Sequence, residues 1–344
     1  RTGGGGDRPL VDRGVQAMTG GEAVAPGTGP AQEFAREGFA GASWDGPHGG
    51  PRNVSHGDEQ FLMFNVSNLE AMRDNVRQSA LEADLLAQAL SSLRLDVSAC
   101  PGARGGVDGA RFDVSRAVLM GHSMGATIAP VAAAFEPSYR AVMLSGAGGS
   151  WIENIVYKEH PVPVRPVAEA LLRYTGSSAR LERDDPTLSL FQWALEPADP
   201  PVYATYVTRA QSGVAARHVL MLQGIVDHYM MPSIADAASL AFGLDLAGTG
   251  RDALDPRLHG FDPLERLLPL RGLSRREGAV TGNRVVGGVA VTLAVRQYPE
   301  DGVEDGHEVA FQTEGPKRDY RCFLRGFLRG APEIPAEDAA GCGP

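Results

Sequence analysis

The sequence predicts an α/β fold: a mostly parallel sheet flanked by helices, with a helical cap inserted over residues 150–215. Three observations carry that expectation. Short apolar runs at 39–44, 116–120, 141–145, 218–222 and 289–298 alternate with helical patterns, the arrangement that builds a parallel sheet covered on both faces. One run passes straight into a tight turn and a helix of small residues, at 116–135. The stretch 150–215 is mostly helical in pattern, broken by prolines at 161, 163, 166, 186, 197, 200 and 201.

Taken in order, residues 10–18 read as a short helix and 20–30 as a Gly-rich loop. A second helix over 31–37 stops at Gly38. A strand over 39–44 runs into the turn Asp45-Gly46-Pro47-His48-Gly49-Gly50. Ser67 and Glu70 form a capping box for the longest helix. Along it Leu69, Met72, Val76, Ala80, Ala83, Leu86, Leu90 and Leu93 recur every three or four residues, marking one buried face. A helix over 124–135 follows the 116–120 strand, another over 233–242 follows the 218–222 strand, and a last helix spans 318–328.

Composition narrows the function. The 344 residues carry 32 basic and 42 acidic side chains, a net charge of −10, and such a surface repels phosphate backbones, so nucleic acid is not expected as a partner. No apolar run is long enough to span a membrane. Three cysteines, Cys100, Cys322 and Cys342, are too few for a disulfide framework or a zinc site. Cys322 and Cys342 would pair in an exported protein, and spare thiols are the plainer expectation. The chain opens on Arg1, which reads as a processed or cut terminus, so the compartment is left open.

The chemistry concentrates at Gly121-His122-Ser123-Met124-Gly125, a Gly-x-Ser-x-Gly pattern between an apolar strand and a helix. Such an elbow holds the serine on a strained turn, with its Oγ above the sheet at the positive helix end. Glycines at both ends leave room for the turn, and the Met124 backbone N–H stands where an oxyanion forms. A serine nucleophile needs a base and an orienting acid, expected after later strands in the order serine, acid, histidine. Asp227 follows the strand that ends Leu222-Gln223-Gly224, with Asp236 as its nearest rival. His307 follows the last strand and completes the set, whereas His160 and His259 fall elsewhere in the order. His122 and His228, beside the nucleophile and the acid, are expected to line the substrate pocket.

These motifs resemble the α/β-hydrolase superfamily, and more closely its bacterial lipase and esterase-like serine hydrolases. In those proteins a turn of the form D-x-P-x-H-G-x-R is similar to Asp45-Gly46-Pro47-His48-Gly49-Gly50-Pro51-Arg52, with shifted spacing. Arg73 to Gln78 and the Leu144-Ser145-Gly146-Ala147-Gly148-Gly149 strand end resemble segments of the same family. The resemblance implies that Thr2-Gly3-Gly4-Gly5-Gly6-Asp7 is an oxyanion loop, with Thr2 and Gly3 as further donors. It also implies that the family's first strands would precede Arg1, one of them belonging between 39–44 and 116–120. The chain therefore reads as a single α/β-hydrolase domain, incomplete at its N-terminus.

Other motifs weigh less. Gly3 to Gly6 lacks the following Gly-Lys-Ser/Thr of a phosphate loop. Asp45, His48, His56 and Asp58 fit no metal-ligand spacing. Arg73 and Arg77 read as solvated or paired with neighbouring acids. Trp151, Tyr157, Phe191, Trp193, Tyr203 and Tyr206 either pack the insert on the sheet or line an acyl pocket. The expected activity is hydrolysis of a small-molecule or lipid ester through an acyl-enzyme, without metal or organic cofactor. An amidase or peptidase, an acyltransferase, and a catalytically silent binding member are the alternatives.

Overall fold

A computed structural model describes residues 9–104, 109–174, 180–211 and 214–343. Its centre is a six-stranded, wholly parallel sheet. In chain order the strands are β1 (Ala117–His122), β2 (Tyr139–Ser145), β3 (His218–Ile225), β4 (Asp245–Ala247), β5 (Arg275–Arg276) and β6 (Leu293–Pro299). They lie side by side as β1-β2-β3-β6-β4-β5. Central strands are apolar throughout because both faces are covered. Val142 and Leu144 of β2 point to one face and Ala141 and Met143 to the other.

The first face packs against the long helix α1 (Leu69–Ser92) and against α2 (Met124–Phe135). Met72, Val76, Ala80 and Ala83 of α1 are buried there, as the periodicity predicts, whereas Leu69, Leu86 and Leu90 are half-buried and Leu93, just past the helix, is exposed. Alanines at 126, 129, 132 and 133 make α2 thin enough to sit between sheet and neighbours. Further along the chain come α3 (Trp151–Tyr157), α4 (Val164–Leu171), α5 (Pro186–Leu195), α6 (Pro200–Thr208) and α7 (Pro232–Phe242). The opposite face is covered by α8 (Glu314–Leu328) and by the short helix Pro30–Arg36. A buried ion pair of Arg296 with Asp319, 2.6 Å, pins α8 to β6, and the Tyr298 hydroxyl donates to the same carboxylate.

Several expectations are corrected. Residues 39–44 form no strand: a strand exists through its ladder, and a cavity of 470 Å³ lies between this segment and β1. The first helix covers only Pro9–Asp12. The cap of α1 is Asn68, whose side chain accepts from the Ala71 N–H, while Ser67 bonds to Asn65 instead. The expected strand over 289–298 is two. Val289–Val291 pairs with Arg284–Val286 in a hairpin. At Thr292 the N–H goes to His218 Nδ1 and the hydroxyl to the Pro332 carbonyl, which ends that hairpin before β6 begins. Cys322 and Cys342 form a disulfide rather than two spare thiols, and Cys100 is free and exposed. Strands β4 and β5, three and two residues long, escaped the sequence reading altogether.

Candidate active site

The elbow forms at the C-terminal end of β1. Ser123 has φ +55° and ψ −119°, a conformation an L-residue holds only when its surroundings over-determine it. They do so here: the Ser123 N–H donates to the Ser145 carbonyl of β2, 2.9 Å, and its own carbonyl accepts from Ala126 and Thr127 at the start of α2. A Cβ on Gly121 would overlap the Gly125 carbonyl, so glycine at 121 is a packing requirement of the turn. No acceptor among the described residues takes the Met124 N–H.

Neighbouring strands bring the other two groups together. Strands β3 and β6 run in register to Ile225 opposite Pro299, so the loops beyond them emerge side by side. The loops touch where Gly224 and Gly306 meet, and a Cβ on either would strike the other's backbone or that of Val226. The Gly306 N–H donates to the Val226 carbonyl, 2.9 Å. One residue further on each loop, Asp227 Oδ2 and His307 Nδ1 are 2.9 Å apart, both side chains buried. Asp227 Oδ1 also accepts from the backbone N–H groups of Tyr229 and Met230. Burial opposes charge on this carboxyl, but the His307 ring, these N–H donors and the nearby Lys158 hold it below the usual carboxylate range. With Nδ1 committed to Asp227, Nε2 of His307 is the nitrogen free to take a proton.

Residues that the sequence reading did not single out fix the His307 ring. Tyr229 stacks on it at 4.3 Å between centroids and 16° between planes. Asp305 accepts from the His307 backbone N–H, 2.8 Å. Glu308 is ion-paired with Arg13 and lies 3.7 Å from His122 Nε2. Burial works against ionising Glu308, yet the ion pair with Arg13 holds the carboxyl below its usual range. The only sequence signal for these groups is their position next to the expected acid and base.

The remaining expected residues fall in varied places. Ser123, Met124 and Tyr229 line one cavity of 490 Å³, which also takes in Trp151 and Phe191. His122 lies on its other side: it is buried, its Nδ1 is 3.2 Å from Ser145 Oγ, and it faces the 470 Å³ cavity. Burial pushes its pKa down to about 3, so the ring is neutral. His228 is paired with Asp305, 2.7 Å, and stacked on His160, and it is not part of the wall around Ser123. Asp236 is buried in α7 with an unpartnered oxygen, and burial raises its carboxyl well above the usual range. Tyr203 and Tyr206 pack on Phe135, Tyr157 packs on Phe261, and Trp193 is exposed. Arg73 and Arg77 both pair with Asp74. Thr2 and Gly3 lie outside the described residues. No hydrogen bond joins Ser123 Oγ to His307 among the described residues, although the rings of His122 and His307 are 4.7 Å apart and Tyr229 bridges ring and cavity.

The chain thus has an α/β fold, a parallel sheet covered by helices on both faces, with a serine on the tight turn between β1 and α2. No protein-family model matches the sequence, and no curated protein matches it. Among solved structures, the chain is similar to acetyl xylan esterase 1 from Thermoanaerobacterium sp., with 17% identity over 60% of this chain and 50% of that one, at a TM-score of 0.34. It is also similar to a CE15 glucuronoyl esterase from Teredinibacter turnerae, with 16% identity over 74% of this chain and 46% of that one, TM-score 0.35. The enol-lactonase from Burkholderia xenovorans matches at 14% identity over 63% of this chain and 66% of that one, TM-score 0.25. The chain spans about half the length of the first two.

Proposed function

We propose that the protein is an α/β-hydrolase that cleaves a carboxylic ester by way of an acyl-enzyme. The observation that carries this reading is the buried pairing of Asp227 with His307 Nδ1, under a Tyr229 ring that lines the same cavity as Ser123. His307 Nε2 takes the Ser123 proton as Oγ adds to the ester carbonyl, and passes it to the departing alcohol. Asp227 keeps the ring in that tautomer and stabilises the imidazolium as it forms. The Met124 N–H, at the head of α2, receives the charge that develops on the carbonyl oxygen. Water, activated by the same ring, then releases the acid.

The test is turnover of p-nitrophenyl esters by the full chain and by Ser123→Ala. Loss of hydrolysis by about 10⁴-fold or more in the variant, with an unchanged melting temperature, is the expected result. Equal turnover by both proteins would remove Ser123 from the reaction.

A further inference from the structure

Resting on the reading of Ser123 as nucleophile, we propose that the 490 Å³ cavity beside it holds the acyl side of the ester, and that this acyl group is an apolar chain well beyond acetyl in length. Helix α4 supplies the first observation. Val164, Val167, Ala168 and Leu171, at positions i, i+3, i+4 and i+7, all line the cavity. Its polar residues are engaged elsewhere, Arg165 with the Val156 carbonyl and Glu169 with the Leu181 N–H. Val164 and Ala168 also pack in part on the cluster of Ile155, Val156, Leu181 and Leu188, but none of the helix residues is buried, and Val167 and Leu171 meet the cavity with no buried partner. Leu171 is 57% exposed and Val167 40%, so apolar surface is left at the mouth that an apolar occupant would cover.

The polar groups of the wall point the same way. Lys158 Nζ donates to the Tyr229 carbonyl, 2.9 Å. Asp199 accepts from the Ser150 N–H and from Gln192. Asn154 donates to the Ser150 carbonyl. Gln60, Thr127 and Tyr229 also line the cavity, but apolar side chains form most of its wall, which favours an apolar occupant over a sugar or a charged chain. The chemistry then decides which half of the ester sits here. The alcohol must leave after the first step, whereas the acyl group stays bonded to Ser123 Oγ until water arrives. An apolar pocket at the serine suits the group that stays.

The experiment measures kcat/KM for p-nitrophenyl acetate, butyrate and octanoate, and for ethyl and octyl acetate, with labelling of Ser123 by a small fluorophosphonate as control. Burying one methylene is worth up to about fourfold. A rise of at least about tenfold from acetate to octanoate is expected, with no comparable gain from octyl over ethyl acetate. In Ala168→Trp, which fills the cavity, the octanoate-to-acetate ratio should fall towards one. A flat or falling acyl series in a protein whose Ser123 labels normally overturns the proposal and leaves the hydrolase reading standing. A gain confined to the alcohol series overturns the assignment to the acyl side. Failure of Ser123 to label overturns both readings.

Discussion

Two cavities of nearly equal size flank the end of β1: one of 490 Å³ beside Ser123 and one of 470 Å³ along the strand's free edge. Both are lined mainly by apolar side chains, Met72, Val164 and Leu171 in one, Phe39, Leu86 and Val118 in the other. Adjacent residues divide them: His122, the last residue of β1, lines the second, and Ser123, on the turn that follows, lines the first. Volume and hydrophobicity therefore do not mark the site. The first cavity has a serine on a strained turn with a buried Asp–His pair nearby. The second has a neutral, buried imidazole and the edge of a strand that pairs only with β2 among the described residues.

The sharpest way to break this contrast is Asp227→Asn. The substitution keeps the volume but favours the wrong tautomer of His307, and turnover should fall by about 10⁴-fold with the fold retained, as circular dichroism and steady-state rates would show. A loss below tenfold would mean that the Asp227–His307 pair serves packing alone.

A smaller effect separates two carboxylates nine residues apart. Asp227 is surrounded by donors and held low, while Asp236 is buried with an unpartnered oxygen and held high. Between the ordinary aspartate pKa of about 3.9 and its raised folded value, the folded state binds the extra proton at Asp236, so this group makes stability fall as pH rises. Asp236→Asn should raise the melting temperature by a few degrees at pH 8 and change it little at pH 3.5. Equal shifts at both pH values would contradict the assignment.

The smallest effect is expected at the free edge. Leu86→Phe places a larger side chain on the wall of the 470 Å³ cavity and partly fills it, and kcat/KM should stay within about twofold of the parent. A tenfold change would tie that cavity to the chemistry.

The sequence made the elbow legible because five contiguous residues and their flanking periodicities carry it. Asp227 and His307 were legible through chain order, each placed after a strand. What brings them together was not, since the close approach of Gly224 and Gly306 depends on the register of β3 with β6. Asp305 and Glu308 gave only their places beside His307, and Arg13 gave no local signal, since it reaches Glu308 across 295 positions of chain. Strands β4 and β5 are too short to show a period of two, and the apolar residues at 39–44 looked like a strand although no ladder receives them. The disulfide was obscured because three cysteines allow pairing but do not require it.

The most direct measurement is intact-mass analysis of the full chain treated with a fluorophosphonate, followed by peptide mapping, on the parent and on His307→Ala. One adduct, located on Ser123 and formed far more slowly in His307→Ala, is the result the account predicts. A folded parent that takes no adduct, or takes it on another residue, would contradict it.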